Sequence, residues 1–333
     1  MRQSQARVSC SGYGELNGCF GKFGFGSPPM RKVFAGKNSE NFVCVKFVLL
    51  HTNYLCGMLM HYSLASLAIF LISVFSSVTA TPGRIVSLAP SLTRSIYYLG
   101  AEESLMGHTT FCHIASGSNK EVVASAVTVN VEKVITLQPD LVVTTAMTNP
   151  ETIEMIRKAG IRTEVFQTPV SFEEICTQFE RLGRLTGKEA TARAISREVR
   201  EKVDAISATH RYNAAPAFFF QIGASPLFTV LENTFMNDYI TFSGGRNIAA
   251  GFKRGTISRE YVLTSNPDVI IIVNMGITGD EEKKIWERFP FLNAVRNDRI
   301  FFLESDMAST PNPPDFLKTL QAIRENLPDG WWE

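Results

Sequence analysis

The sequence predicts an α/β protein of two similar lobes with parallel sheets, joined by a single long helix. Short apolar segments alternate with helical patterns from residue 84 to residue 326. A pattern in the first half recurs in the second, and a long Ala-, Arg- and Glu-rich segment separates the two halves. Strands that alternate with helices favour a parallel sheet covered on both faces.

In the first half, short apolar runs are bounded by turn residues. They predict strands over residues 84–88, 105–110, 141–145 and 162–167. Ser91 is expected to cap a helix that runs to Gly100. Between the last two strands, Asn149 as N-cap, Pro150 in the first turn and Gly160 after the last turn predict a further helix.

The second half repeats this order. Strands are predicted over residues 217–221, 268–273 and 299–303, and helices over 233–242, 281–289 and 314–326. The strand at 268–273 reads DVIIIV. Such a continuous apolar run is typical of a strand that is buried on both faces.

An internal repeat places a glutamate at the same point of each half. NVEKV precedes QPDLVV in residues 130–143, and SREYV precedes NPDVII in residues 258–271, with equivalent positions 128 apart. In each copy Glu132 or Glu260 lies in the first turn of a short predicted helix. The helix dipole stabilises a carboxylate there by about 0.3–1 kcal/mol. That explains one Glu, whereas two equivalent ones also allow a symmetric functional use.

The segment between the halves predicts the connection. Ser171 and Glu174 form a capping box for an amphipathic helix, which Gly187 interrupts. Residues 188–209 then continue as a helix of about 33 Å at 1.5 Å per residue, long enough to act as a strut. The expected organisation is an N-terminal lobe at 81–187, a linking helix at 188–210 and a C-terminal lobe at 211–333.

The first eighty residues differ from the rest. Residues 64–78 read LASLAIFLISVFSSV, without a charge, and end at small residues suited to signal peptidase, so 58–80 is predicted to be a secretory signal peptide. The alternative is an uncleaved membrane anchor. Residues 1–57 show no helix or strand periodicity and are interpreted as an extension or as the product of a misassigned start.

Composition excludes several classes of protein. The full chain has a formal net charge of +1 and six cysteines, too few for a disulfide scaffold. Beyond residue 80 the net charge is −4, with no basic excess for nucleic acid, and Cys112 and Cys176 are the remaining cysteines. A soluble, monomeric periplasmic protein is the simplest expectation, and whether the two cysteines pair stays open.

Residues 83–326 resemble the helical-backbone (class III) periplasmic binding proteins of ABC importers, which deliver cobalamin, haem and ferric siderophores, and are most similar to the cobalamin-binding branch. The resemblance is carried by RIVSLAPSLTRSIYYLGAEESLMGHTT, NVEKVITLQPDLVV, FFFQIGASPLFT, GGRNIA and ISREYVLTSNPDVIII. It implies two Rossmann-like lobes with the ligand in the cleft between them. It also implies docking of Glu132 and Glu260 onto the permease of a permease–ATPase complex in the inner membrane, with no enzymatic activity and no cofactor.

Ligands in open parallel sheets lie beyond the carboxyl ends of the strands, which selects the candidate binding residues. Aromatic and Met side chains suit the faces of a large flat metal chelate, and hydroxyls or cations suit its edge. The candidates are Ser91, Thr110, Phe111, Cys112, His113 and Met147 in the first lobe, and Ser225, Phe228, Phe252, Arg254 and Met307 in the second.

Several alternatives stay open or are disfavoured. His113 is expected to be either a solvent-exposed loop residue or an axial ligand of the chelated metal, a role that a Cys112 thiolate could also take. A chelatase using His113 with Glu103 or Asp306 is disfavoured because export removes the biosynthetic context. An importer of bare metal ions would need several converging ligands, whereas only His108, His113 and His210 follow residue 80.

Overall fold

The computed structural model describes residues 81–125, 128–209, 215–274 and 278–327. The predicted extension over 1–57, the predicted signal peptide over 58–80 and His210 lie outside the described residues. Within the described ranges the chain forms two α/β lobes. No helix in those ranges is both long and apolar enough to cross a bilayer.

The first lobe contains a five-stranded parallel sheet of order β3-β2-β1-β4-β5, as expected for an α/β lobe. Its strands are β1 Ile85–Ser87, β2 Leu105–Thr109, β3 Glu121–Ala124, β4 Leu141–Thr145 and β5 Thr163–Phe166. Its helices are α1 Pro90–Tyr98, α2 Val131–Thr136 and α3 Pro150–Lys158. Strand β3 was not predicted, because its short EVVA sequence is no clear apolar run.

Two helices connect the lobes, α4 Phe172–Leu185 and α5 Glu189–Ser207. The second lobe follows with β6 Ala217–Ala224, β7 Leu227–Thr229, α6 Asn237–Phe242, β8 Arg246–Asn247, α7 Arg259–Ser265, β9 Val269–Asn274, α8 Thr278–Glu287, α9 Asn293–Arg296, β10 Ile300–Glu304, α10 Ser305–Ala308 and α11 Pro313–Glu325. Its sheet has the order β10-β9-β6-β7 with β8 also on β6, and β7 alone runs antiparallel. The helix expected over 233–242 begins only at Asn237, after a turn.

The central strands are buried on both faces, which explains their continuous apolar sequences. Along β6, Phe218 and Phe220 belong to the core on one face of the sheet and Phe219 to the core on the other. Along β9, Ile271 lies with the first group and Ile270 with the second. Successive side chains of a strand point to opposite faces of the sheet. Because helices cover both faces, consecutive residues of these apolar runs pack alternately against one helix layer and the other.

The Pro-Asp of the internal repeat has the same structural role in both lobes. Oδ2 of Asp140 accepts hydrogen bonds of 2.9 Å from the backbone N–H groups of Gly83 and Arg84, just before β1. Oδ2 of Asp268 accepts one of 2.8 Å from the N–H of Ala217, the first residue of β6. Each aspartate therefore fixes the start of the first strand of its lobe, which accounts for the repeat without a functional role for these two residues.

The helix predicted over 188–209 is present as α5, and α4 accompanies it. The first turns of α4 and the second half of α5 pack in the core of the second lobe, through Phe172, Ile175, Cys176, Val199, Val203 and Ile206. The other ends of both helices pack in the core of the first lobe, through Phe179, Leu182 and Ala192. The connection is therefore a pair of antiparallel helices, where sequence analysis expected one.

Gly183 permits the close approach of these two helices. A Cβ at this position would overlap the Cβ of Ala192 on α5. The turn between the helices contains Gly187 at φ +71°, a left-handed conformation that side chains other than glycine rarely adopt. The interruption that sequence analysis placed at Gly187 is therefore the turn of a helical hairpin.

A substitution of Phe316 on α11 tests how the pair of helices α4 and α5 is held to the second lobe. Its fully buried ring stacks on Phe172 of α4 at 4.5 Å and on Tyr239 of α6 at 4.4 Å. Phe316→Ala should lower the free energy of unfolding by about 3–5 kcal/mol, because it leaves a cavity among three helices. Urea denaturation followed by circular dichroism measures this loss.

The matched control is Phe291→Ala, since that ring is 52% exposed. The control should change the free energy of unfolding by about 0.5 kcal/mol or less. Equal effects of the two substitutions would contradict the assignment of Phe316 to the shared core.

Candidate ligand cleft

A cavity of about 360 Å³ lies between the two lobes. The first lobe contributes the start of α1, the loop 111–114, and the residues that follow β4 and β5. The second lobe contributes Phe235, the start of α10 and residues 309–311, and α4 lines the cavity through Ile175, Gln178, Phe179 and Leu182. Because residues that follow β4, β5 and β10 form its wall, the cavity lies where ligands of open α/β sheets bind.

Three exposed apolar side chains lie on the first-lobe side of this cavity. Phe111 is 53% exposed, Ile114 38% and Met147 86%. Exposed apolar groups beside a concave, mainly apolar site are a common feature of small-molecule binding. Phe111 and Met147 were both predicted as binding residues, and the structure places both at the cavity.

Ser91 lines the cavity, although it does not cap α1. The N-cap of α1 is Ala89, and no side chain makes a capping hydrogen bond there. Pro90 occupies the first turn, so Ser91 is already helical. The expected capping role is therefore wrong, and the side chain is placed on the cavity wall instead.

Cys112 lines the cavity but is engaged with neighbouring hydroxyls. Its Sγ lies 3.2 Å from Oγ1 of Thr93 and 3.2 Å from Oγ1 of Thr109, and the residue is buried. Both described cysteines, Cys112 and Cys176, are free, so they do not pair. The contacts and burial of Cys112 favour a structural role over metal binding.

His113 is exposed and lies across the cleft from the second lobe. Its Nε2 is 3.7 Å from Oδ2 of Asp306, and both side chains are more than half exposed. The imidazole is therefore accessible from the cavity. In contrast, His108 is buried in β2 with Nδ1 at 2.8 Å from the carbonyl of Thr109. Among the described residues, no group of three or more His, Cys, Asp or Glu side chains could hold a metal ion.

Arg94 is a cavity residue that sequence analysis did not select. It lies on α1, one turn after Ser91, and reaches the second lobe at two points. Nη1 donates to the backbone carbonyl of Asp306 at 3.2 Å, and Nε lies 2.8 Å from Oδ2 of Asp315 on α11. The spacing of three residues from Ser91 is the signal that could have identified it, because residues i and i+3 share a helix face.

Asp315 is the buried centre of the polar contacts between α1 and α11. The residue is 1% exposed. It accepts hydrogen bonds from the Tyr98 hydroxyl at 2.5 Å and from Nδ2 of Asn312 at 2.7 Å. Nζ of Lys318 lies 3.7 Å away. These partners compensate the burial of its charge.

Other lining residues were also missed. After β5 the cavity is lined by Gln167, Thr168 and Pro169, which belong to no recognisable motif. Phe235 lies in a turn that was predicted to be helical. Ser305, Ser309 and Thr310 surround α10, which was not predicted. Serine and threonine are common in any loop, so the sequence does not distinguish these residues. They line the cavity because of how the two lobes pack.

Six predicted binding residues lie outside the cavity lining, namely Thr110, Ser225, Phe228, Phe252, Arg254 and Met307. Four of them belong to one group on the second lobe. Ser225 is in the tight turn between β6 and β7, and Phe228 on β7 forms a bridge to Thr256. Ser225 and Phe228 were expected to line the cleft, whereas they lie at the tip of an antiparallel hairpin.

This hairpin lies beside the helix that carries Glu260. The N–H of Ile257 donates to the carbonyl of Leu227, and Ser258 then caps α7 by accepting from the N–H of Tyr261. Phe252 packs on Tyr261 with ring centroids 4.9 Å apart.

Glu132 and Glu260 occupy equivalent, exposed positions in the first turns of α2 and α7. Asn130 caps α2 as Ser258 caps α7. Hydrogen bonds from its own backbone N–H and from the Ser258 hydroxyl lower the pKa of Glu260. Glu260 is therefore ionised at neutral pH.

A buried network fixes the start of α7. Glu282 accepts hydrogen bonds of 2.7–2.8 Å from Nη2 of Arg259 and one of 3.0 Å from Nε2 of Gln221. The indole N–H of Trp286 donates to Oε1 of Gln221 at 2.9 Å. Arg259 directly precedes Glu260, so this network holds the backbone of the exposed carboxylate against the core of the lobe.

Two α/β lobes with a cavity at their facing strand ends define a two-lobed solute-binding protein. The family model described as periplasmic binding protein matches residues 85–307. The chain belongs to this family, whose members bind solutes for transport and are not enzymes. Membership implies a periplasmic location and an ABC transporter as partner.

Relatives and solved structures agree with this assignment. The vitamin B12-binding protein of Photorhabdus laumondii is 30% identical over 271 residues, which cover 80% of this chain and 95% of the relative. The structure of a possible iron-binding, periplasmic solute-binding protein from Staphylococcus epidermidis is 25% identical, with a TM-score of 0.65, and covers 74% of this chain and 99% of that one. A periplasmic haem-binding protein from Pseudomonas aeruginosa has the same fold at 23% identity, a TM-score of 0.64, and coverage of 75% and 93%.

Cys176 provides a test of the core beside the cavity. Burial raises the pKa of its thiol to about 12. At pH 8 only about one thiol in ten thousand would then be ionised, and thiolate is the reactive form. Iodoacetamide should therefore modify Cys176 in the unfolded protein but not in the folded one, as measured by peptide mass spectrometry. Rapid modification of the folded protein would contradict this packing.

Proposed function

We propose that the chain captures a corrinoid of the cobalamin type in the interlobe cavity and delivers it to the permease of an ABC importer. The observation that carries the proposal is the cavity at the strand ends with exposed Phe111 and Met147 beside it. The vitamin B12-binding relative, matched over 95% of its length, supports the choice of ligand.

The chemistry of the cavity wall suits a large flat ring. Apolar side chains such as Phe111 and Met147 contact the ring faces, and polar groups such as Ser91 and Gln167 meet amide arms at the edge. A cavity of about 360 Å³ encloses only part of so large a molecule. The remainder of the ligand would extend along the exposed rim.

A second candidate ligand is an iron chelate, either haem or a ferric siderophore. The specific observation is His113, whose exposed imidazole faces the cavity and could ligate a metal from one axial side. The structural likeness to a possible iron-binding protein also supports it. A corrinoid is preferred because of the vitamin B12-binding relative.

The cargo metal belongs to the ligand, so the protein itself is proposed to need no cofactor.

We also propose that residues 58–80 are a cleaved signal peptide. The exported protein is proposed to be a monomer that does not bind nucleic acid. The net charge of −4 beyond residue 80 supports the last point.

Delivery is proposed to use Glu132 and Glu260 as contacts with the permease. The two carboxylates occupy equivalent positions on the two lobes and are exposed. Contacts on both lobes would allow the transporter to sense their relative position. The hairpin group of Ser225, Phe228, Phe252 and Arg254 adjoins Glu260 and would extend this contact on the second lobe.

Titration with cyanocobalamin, haem and a ferric siderophore tests the ligand. The purified protein should bind cyanocobalamin with a change in its visible spectrum, because the chelate moves from water into a partly apolar cleft. Tighter binding of haem or siderophore would establish the second candidate instead. Failure to bind all three would refute the proposed function.

Phe111→Ala tests the site within the cavity. Loss of a ring that packs on the ligand should weaken cyanocobalamin binding by about tenfold, or 1.4 kcal/mol. Stability should be unchanged because the ring is 53% exposed. Phe291→Ala is the matched control, with the same side chain at 52% exposure away from the cavity. An equal dissociation constant for the two variants would place the ligand elsewhere.

Glu132→Ala combined with Glu260→Ala tests delivery. The double variant should abolish transporter-dependent uptake of cyanocobalamin and leave its dissociation constant unchanged, because both carboxylates lie outside the cavity lining. Glu198→Ala with Glu325→Ala removes two exposed carboxylates from α5 and α11 as a control and should preserve uptake. Loss of ligand affinity in the first variant would instead assign these residues to the binding site.

A further inference from the structure

Charge is sparse on the cavity wall. Among its described lining residues, Arg94, His113 and Asp306 are the ones with basic or acidic side chains, apart from the Cys112 thiol. The carboxylate of Asp306 faces His113 across the cleft at 3.7 Å. Arg94 is therefore the permanently cationic group of the wall, because a guanidinium stays protonated at any physiological pH.

Arg94 is held in a fixed position by the opposite lobe. Nη1 donates to the backbone carbonyl of Asp306 at 3.2 Å. Nε lies 2.8 Å from Oδ2 of Asp315 but is not aligned for a hydrogen bond with it. The Nη1 contact engages one of the five N–H donors of a guanidinium, and the contact of Nε with Asp315 is an ion pair. The side chain is 25% exposed and lines the cavity, so further donors are accessible to a bound molecule.

Arg94 shares its carboxylate partner with a second cation. The buried carboxylate of Asp315 has two cations within 4 Å, Arg94 and Lys318, and also accepts from the neutral groups of Tyr98 and Asn312. One negative charge thus faces two positive ones. An anionic group in the cavity beside Arg94 would give the remaining N–H donors of the guanidinium an acceptor, and a charge-assisted hydrogen bond from Arg to an oxyanion is among the stronger polar contacts.

We propose that Arg94 binds an oxyanion substituent of the ligand, a phosphodiester or a carboxylate, and that Asp315 positions the guanidinium for this contact. The inference rests on the proposed function, since it concerns the ligand of the same cavity. It narrows the ligand class to metal chelates that carry an anionic arm. The anionic arm would then contact a guanidinium that belongs to the first lobe but is held by the second. Arg94 is on α1, and its partners Asp306 and Asp315 are on α10 and α11.

Paired probes distinguish the two sources of the oxyanion. Cyanocobalamin carries a phosphodiester that dicyanocobinamide, a corrinoid without the nucleotide arm, lacks. Haem carries carboxylates that haem dimethyl ester lacks. The wild-type protein should bind the anionic member of at least one pair on the order of tenfold more tightly, and high salt should weaken that binding and leave the other member unaffected.

Arg94→Gln should remove this preference, and Arg94→Lys should keep part of it. Asp315→Asn should reduce the preference without abolishing binding, which a purely structural role would not do selectively. Arg193→Gln is the matched control, because Arg193 pairs with Glu189 on the surface of α5, away from the cavity. Circular dichroism establishes that each variant is folded, and the wild-type salt dependence tests the proposal even where a variant fails to fold.

The outcomes separate the two claims. A preference for cyanocobalamin that Arg94→Gln removes identifies a phosphodiester, and a preference for haem over its ester identifies a carboxylate. Equal affinities within both pairs, or equal losses for both members in Arg94→Gln, would overturn the role of Arg94 while leaving the proposed function in place. Binding of none of the four probes would overturn both.

Discussion

The packing of α4 and α5 into both hydrophobic cores is the constraint on which the rest of the structure depends. One end of this helical pair is buried among the aromatic residues of the second lobe and the other among the aliphatic residues of the first. Gly183 allows the two helices to approach closely, so they pack as a pair. The lobes are thereby held with the ends of their sheets facing one gap, and α4 itself forms part of the cavity wall.

Polar contacts between α1 and α11 join the lobes a second time. Asp315 is a buried charge, and such a group is tolerated only where charged and hydrogen-bonding partners surround it. Two of those partners, Arg94 and Tyr98, come from the other lobe. Apolar packing therefore sets the distance between the lobes, while directional polar contacts set their orientation beside the cavity. Together these contacts fix the walls of the cleft relative to each other.

The sequence predicted the fold better than the site. Continuous apolar runs such as DVIIIV and caps such as Asn149 are local signals, and they identified most strands and helices within a few residues. Short edge strands such as β3 lack that signal. Strand ends are predictable in an α/β lobe. For that reason the prediction included five residues that line the cavity, namely Ser91, Phe111, Cys112, His113 and Met147. Arg94 was missed because its role depends on the second lobe, more than 200 residues away. Ser225 and Phe228 were assigned to the cleft because an antiparallel hairpin is unexpected there.

The sharing of helices between cores also determines the order in which the chain can fold. The core of the first lobe is complete once α5 has been supplied, because its residues all lie between Ile85 and Ala192. At that stage Phe172, Ile175 and Cys176, which the second lobe later covers, have no partners from residues 217–327. A half-made chain thus exposes an apolar surface that favours aggregation. This surface is covered completely only when the last helix, α11, has packed on it.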